Sequence, residues 1–172
     1  MGDVQPGPRD ASDRALAGDV SGRGRLGARL GFQLGAIRLE VDGRAAHESE
    51  DTWDATWLSA TTTCSASGAQ VVVRGAVLTS WSVERFCTGL DGLATTGVGC
   101  AYLTSEVPNL TIRVESQQSD TPIAVRIELT ADSAGQGHWF AFHIGRSEVQ
   151  GAAAQCREIL AAYPTHQVVD HA

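Results

Sequence analysis

Apolar and polar residues alternate with a period of two in several segments of this chain. The pattern is clearest in the stretch "IRLEVD", where Ile37, Leu39 and Val41 are each followed by a charged residue. Successive side chains of a β-strand point to opposite faces of a sheet, so this alternation predicts a strand with one buried and one solvated face. A chain built mainly from such segments has to pair them into a sheet.

Seven strands are predicted in this way, the first from about Leu34 and the others over 53–65, 69–78, 98–104, 109–116, 122–130 and 138–144. Two segments follow a helical period instead. In "SWSVERFCTGLDGLA", five apolar residues form one stripe: Val83, Phe86, Cys87, Leu90 and Leu93. A second helix is predicted to begin at Ser147, with a capping box to Gln150, and to end at Pro164.

The resulting element order is βββαββββα. The connections are short, which favours antiparallel neighbours, and the expected fold is α+β with a mainly antiparallel sheet of about seven strands and two helices. We expect residues 32–164 to form a single domain. Residues 1–31, rich in Gly, Asp, Arg, Ser and Pro, are expected to be a disordered N-terminal extension, and residues 165–172 a flexible C-terminus.

The composition bounds the class of function. A formal net charge of -7 argues against a nucleic-acid-binding protein, which would carry a basic face. The first residues have no apolar run typical of a signal peptide, and no segment is apolar enough to span a membrane, so a cytoplasmic protein without membrane partners is expected. The four cysteines are far apart and form no CxxC pair, which gives no indication of a zinc or redox site.

The stretch "HESEDTWDATW", His47–Trp57, is the most unusual segment and is called the acidic stretch below. Its carboxylates could hold a cation or act as acid and base, but the spacing of a calcium-binding loop is missing. A protein-binding role needs fewer assumptions, since clustered carboxylates project a negative field and tryptophan often contributes interface energy. The residues expected to bind a partner are Glu48, Glu50, Asp51, Trp53, Asp54 and Trp57.

No catalytic constellation is recognisable in the sequence. His138 and His143 are five residues apart on a predicted strand, so they should point to opposite faces. The chain has no lysine, which excludes the lysine of a phosphate-binding loop, and no G-x-S-x-G or H-E-x-x-H motif. We therefore expect a protein that is not an enzyme and that has no cofactor or metal site.

The order of several motifs resembles the WapI-type immunity protein family, or a related bacterial family of unknown function. These motifs are "WDATWL", "WSVERFCTGLDGL", "GVGCAYLTSEVPNLTIRV" and "GHWFAFHIGRSEVQ", which together cover about residues 35–163. The resemblance implies a small cytosolic protein that binds and neutralises a cognate toxin domain, several such toxins being nucleases. We expect a monomer, and the alternative is a small-ligand or cation-binding domain.

Overall fold

The computed structural model describes residues 29–45, 56–66, 68–105, 109–119, 121–132 and 135–165. The first half of this part contains the strands β1 (Gly31–Leu34), β2 (Ile37–Arg44), β3 (Trp57–Ala66) and β4 (Ala69–Thr79), followed by the helix α1 (Ser80–Thr96). The second half contains β5 (Gly99–Thr104), β6 (Leu110–Ser116), β7 (Ile123–Asp132) and β8 (Gln136–Ile144), followed by α2 (Arg146–Ala162).

The predicted α+β class and antiparallel pairing are confirmed, but the strands form two sheets rather than one. Sheet A has the order β1-β2-β3-β4 and sheet B the order β5-β6-β7-β8, all antiparallel. The described residues contain eight strands, one more than expected, because the alternation before Ile37 is interrupted by a tight turn. Gly35 in that turn has φ +57°, a left-handed conformation that glycine adopts at little cost.

One hydrophobic core joins the two sheets and the two helices. The inward residues of both sheets belong to the same cluster as the apolar stripes of α1 and α2. The rings of Phe32 on β1 and Phe86 on α1 lie 5.5 Å apart. Helix α2 packs against β1, α1 packs against β5, the two helices pack against each other, and β4 contacts β7. The helices therefore connect the two sheets instead of covering one face of a single sheet.

Local hydrogen bonds explain where the helices begin and end. At the start of α1 the amide of Ser82 donates to the hydroxyl of Thr79, and the amide of Thr79 donates to the hydroxyl of Ser82. The predicted capping box at the start of α2 is wrong. This helix begins earlier, after Gly145, whose amide donates to the Glu148 carboxylate at 2.9 Å. A carboxylate close to the positive end of the helix dipole is the stronger cap.

The predicted terminal extensions fall mainly outside the described residues. Of residues 1–31 the structure describes the last three, and of residues 165–172 only Thr165. Neither helix in the described part of the chain is long and apolar enough to cross a membrane.

Candidate protein-binding surface

Most of the residues predicted to bind a partner lie outside the described residues. This holds for Glu48, Glu50, Asp51, Trp53 and Asp54, whereas Trp57 is described and is half-buried at the start of β3. The acidic stretch nevertheless has a defined position in the chain, because it leaves from β2 and returns at β3. The amide of Ala45 donates to the carbonyl of Trp57 at 3.0 Å. The described residues on the two sides of 46–55 therefore meet at one corner of sheet A.

The same corner holds the first turn of α1. Trp57 is the Cα partner of Thr79, the residue that caps α1. The hydroxyl of Ser80 donates to the carbonyl of Thr56 at 3.5 Å, and both residues are buried. The described end of the acidic stretch, Thr56 and Trp57, thus lies directly beside the N-terminus of α1.

A cleft of about 340 Å³ opens next to this end of the acidic stretch and is called the aromatic cleft below. Its lining residues are Thr79, Trp81, Ser82, Arg85, Tyr102, Thr104 and Ser105. Trp81 and Tyr102 are 44% and 54% exposed, although large aromatic side chains are usually well buried. Trp, Tyr and Arg are the residue types that most often carry binding energy at protein interfaces, so this combination indicates a surface that binds another protein.

A close approach of α1 to β5 brings the two aromatic residues together. A Cβ atom placed on Gly89 would lie 2.7 Å from the Cα atom and 2.8 Å from the Cβ atom of Ala101. Only glycine allows the helix to come this near to the strand. Trp81 lies on the same helix as Gly89, and Tyr102 directly follows Ala101.

The outer face of sheet B continues the surface beyond the cleft. One row across the four strands contains Tyr102, Arg113, Arg126 and Ala141, and the next contains Thr104, Thr111, Glu128 and Trp139. Trp139 is 78% exposed. Trp81, Tyr102 and Trp139 are not among the residues predicted to bind a partner. For Tyr102 a signal was available, since this residue is out of phase with the buried Ala101 and Leu103 and so had to point outward.

The net negative charge is concentrated outside the described residues. Residues 1–28 hold four arginines and four aspartates, and the described residues hold nine arginines and nine carboxylates. The remaining positions hold seven carboxylates and no arginine, which accounts for the formal charge of -7. Four of these seven belong to the acidic stretch, and the described residue that follows them, Thr56, lies beside the aromatic cleft through its contact with Ser80.

The described cysteines and histidines do not form a reactive group. Burial raises the pKa of Cys64 to about 11. Burial also raises the pKa values of Cys87 and Cys156, which keeps these thiols protonated and poorly nucleophilic at neutral pH. Cys64, Cys87 and Cys156 are buried, and the apolar stripe that included Cys87 is confirmed. His138 and His143 lie on opposite faces of sheet B, as predicted. His138 is the Cα partner of the buried Leu129, and His143 is the Cα partner of Ala124, which points to the other face.

Within the described ranges, no three His, Cys, Asp or Glu side chains come together as metal ligands. The carboxylates that a cation would need in the acidic stretch lie outside these ranges.

An ion pair between Asp91 and Arg157, with an N–O distance of 2.5 Å, joins α1 to α2. The Asp91 carboxylate also lies 3.9 Å from the Cys87 thiol. We interpret this group as a contact that fixes the helix pair.

The two-sheet α+β domain has exposed aromatic residues close to Thr56 and Trp57, the described end of the acidic stretch, and these are features of a protein-binding domain. A family model, the immunity protein WapI-like family, matches residues 30–164, and the chain belongs to this family. Membership suggests a toxin-neutralising role. No curated protein and no solved structure matches the chain.

Proposed function

We propose that this protein binds a cognate bacterial toxin domain in the cytoplasm and neutralises it without catalysing a reaction. The observation that carries the proposal is the family match over residues 30–164, which covers nearly all of the described domain. Immunity by binding requires a surface complementary to the toxin and no catalytic residues. The exposed aromatic cleft and the acidic stretch beside it are consistent with such a surface.

We further propose that the acidic stretch and the aromatic cleft form one interface with different roles for their residues. The carboxylates Glu48, Glu50, Asp51 and Asp54 attract the partner, because complementary long-range charge mainly raises the association rate. Trp81 and Tyr102 then supply contact area, since buried aromatic side chains dominate the energy of an interface once it has formed.

A nuclease is the toxin class that fits this charge best. A nuclease needs a basic groove to hold the phosphates of its substrate, and an acidic protein lying across that groove would compete with the nucleic acid. The described residues are balanced in charge, so the competition would depend on the acidic stretch and on the other carboxylates outside the described ranges.

A growth experiment tests the role itself. The C-terminal domain encoded by the gene immediately upstream would be expressed alone and together with this protein, and viability would be followed. We expect the domain to stop growth and this protein to restore it. If the domain is harmless, or if it kills in both cases, toxin neutralisation in this pairing is rejected. Calorimetric titration with calcium, magnesium or manganese would then test the alternative of a cation-binding domain.

Binding kinetics test the interface. Reversing the four carboxylates of the acidic stretch to Arg should lower the association rate by about 10- to 100-fold and reduce its dependence on salt. Reversal of Glu158, an exposed carboxylate on α2, is the control and should have little effect. Equal association rates for the wild type and the four-residue variant would remove the acidic stretch from the interface.

A second pair of variants tests the aromatic cleft. Trp81→Ala should raise the dissociation constant by about 30-fold or more, the usual effect of truncating a central interface tryptophan. Val98→Ala is a matched control, because Val98 is also 44% exposed and lies at the other end of α1. If both variants bind like the wild type, the toxin contacts another face.

A further inference from the structure

The strand β8 is an open edge of sheet B with an unusual composition. Among the described strands only β7 is hydrogen-bonded to it. Its nine residues, "QGHWFAFHI", include no arginine, no carboxylate and no proline, and eight of them are half-buried or exposed. Soluble proteins normally protect such an edge, because its free backbone groups can pair with another strand.

The other three edges of the two sheets carry protection. The amide of Gln33 on β1 donates to the side chain of Gln155 on α2 at 2.9 Å. The edge strand β5 packs against α1. The edge strand β4 has an irregular register at Leu58/Ser59 of its neighbour, a glycine with φ +148° at Gly75, and an exposed Arg74. Bulges and charges of this kind discourage edge pairing. The strand β8 shares one of these features, a register shift at Thr130/Asp132 of its neighbour β7, but its pairing over residues 137–144 is regular and it carries no Arg, Asp or Glu.

We propose that β8 pairs antiparallel with β8 of a second copy of this chain, around a two-fold axis at Phe140, so that two B sheets join into one of eight strands. This dimer replaces the monomer expected from the sequence. A two-fold interface brings the same segment from both copies together, so the segment has to be complementary to itself. In this register the numbers of two facing residues add up to 280, so an odd-numbered residue always faces an odd-numbered one. Because the odd-numbered residues of β8 lie on the outer face, outer-face residues of one copy face outer-face residues of the other.

The outer face of β8 has this self-complementarity. Its residues alternate between small and large: Gly137, Trp139, Ala141 and His143. With the axis at Phe140, Trp139 faces the partner's Ala141 and Gly137 faces the partner's His143. Each large side chain is then opposite a small one. A shift of the axis by one residue to Trp139 would place the two indoles against each other instead.

Neighbouring side chains add to the fit. Arg126 on β7 is exposed and is the Cα partner of Ala141. Because alanine is small, Arg126 can reach over it towards the partner's Trp139, and an arginine over an indole is a favourable cation–π pair. On the inner face the half-buried Phe140 and Phe142 would gain aromatic cross-strand neighbours. The pairing would cover Trp139, the most exposed large apolar residue described.

The first test is the mass of the full chain in solution. Sedimentation equilibrium should give about twice the 18.1 kDa of the chain. Trp139→Ala should raise the dimer dissociation constant by about tenfold or more, and Ala141→Trp should do the same by placing two large side chains opposite each other. The double variant Trp139→Ala/Ala141→Trp exchanges the two sizes and should recover most of the affinity. Tyr102→Ala, which truncates another exposed aromatic residue on the same face but on β5, is the control and should leave the mass unchanged.

The second test is a distance. Cys100 is the one exposed cysteine of the four, so a spin label should attach there. With strands about 4.8 Å apart and a rise of about 3.4 Å per residue, the proposed pairing places the two Cys100 Cα atoms about 40 Å apart. Double electron–electron resonance should show this distance, and its loss in Trp139→Ala.

Several results would overturn the proposal. The first is a monomer at every concentration. The second is a dimer in which both single variants keep the Cys100–Cys100 distance of the wild type. The third is protection of the β8 amides from hydrogen exchange in a monomer, which would assign the edge to another segment of the same chain. Loss of toxin binding in Trp139→Ala without any dimer would assign it to a strand of the toxin. The dimer does not depend on the proposed function, because all measurements except the last need only the purified protein.

Discussion

Gly89 and Gly92 offer a comparison of the same substitution at two sites on one helix. Both lie inside α1, where alanine is favoured over glycine by about 1 kcal/mol. At Gly92 an added Cβ meets nothing within 4 Å, so Gly92→Ala should stabilise the protein by about 0.5–1 kcal/mol. At Gly89 the added Cβ would lie 2.7 Å from the Cα atom of Ala101 and 3.0 Å from the carbonyl oxygen of Cys100.

Those two atoms belong to the backbone of β5 and cannot turn aside as a flexible side chain could. Relief requires α1 and β5 to separate, and overpacking of this kind costs about 1–3 kcal/mol. Set against a gain in helix propensity of about 1 kcal/mol, this cost should leave Gly89→Ala less stable than the wild type by up to about 2 kcal/mol. The two variants should thus change stability in opposite directions.

Urea unfolding followed by circular dichroism, at one protein concentration, measures both effects. The midpoint should rise for Gly92→Ala and fall for Gly89→Ala, with an unchanged slope, which shows that the same surface is exposed on unfolding. If Gly89→Ala is as stable as Gly92→Ala, α1 does not approach β5 closely and the geometry of the aromatic cleft is wrong.

Two further predictions concern other parts of the fold. The pKa of Cys64 is raised by burial to about 11, so the folded state holds this proton while the unfolded thiol, with an ordinary value near 9, loses it. The contribution of Cys64 to the free energy of unfolding is therefore fully present below pH 9 and should decrease by about 2 kcal/mol as the pH rises to 11. A Cys64→Ala variant should lack this part of the loss of stability at alkaline pH. Parallel plots of stability against pH for the wild type and the variant would contradict the prediction. Arg146 donates to the carbonyls of Ala94 and Thr95 at 2.8 and 2.5 Å, near the end of α1. Arg146→Ala should lower the free energy of unfolding by about 1–2 kcal/mol, because both hydrogen bonds are lost. Arg146→Lys should lower it by less, because the ammonium group can still donate to one of the two carbonyls. Equal stability of all three proteins would show that this contact contributes nothing.

The elements of this fold were largely predictable because their signals are local. The apolar stripe from Val83 to Leu93 predicted α1, and five of its residues are buried in the structure. The alternation from Leu110 to Leu129 likewise predicted β6 and β7 and their buried face. The short strand β1 was missed because only its last residue, Leu34, fell within the predicted first strand, and the turn at Gly35 was not predicted.

The candidate surface was predictable only in part. The acidic stretch is visible in the sequence as a cluster of charges, and Trp57 lies at its end. Trp81 and Tyr102 are 21 residues apart in the chain and belong to different elements, so no sequence pattern connects them. Their proximity results from the packing of Gly89 against Ala101. The residues around Gly89 and Ala101 in the sequence give no indication of this contact.

The sequence by itself determined the class of fold, the order of most elements and which face of each is buried, because side-chain periodicity and turn residues act over a few positions. Only the tertiary structure decided that the strands divide into two sheets, and that the described end of the acidic stretch, the first turn of α1 and the outer face of β5 meet at one corner. The reason is physical: division into sheets and contacts between distant residues depend on how whole faces pack into one core, and that packing is a property of the complete chain.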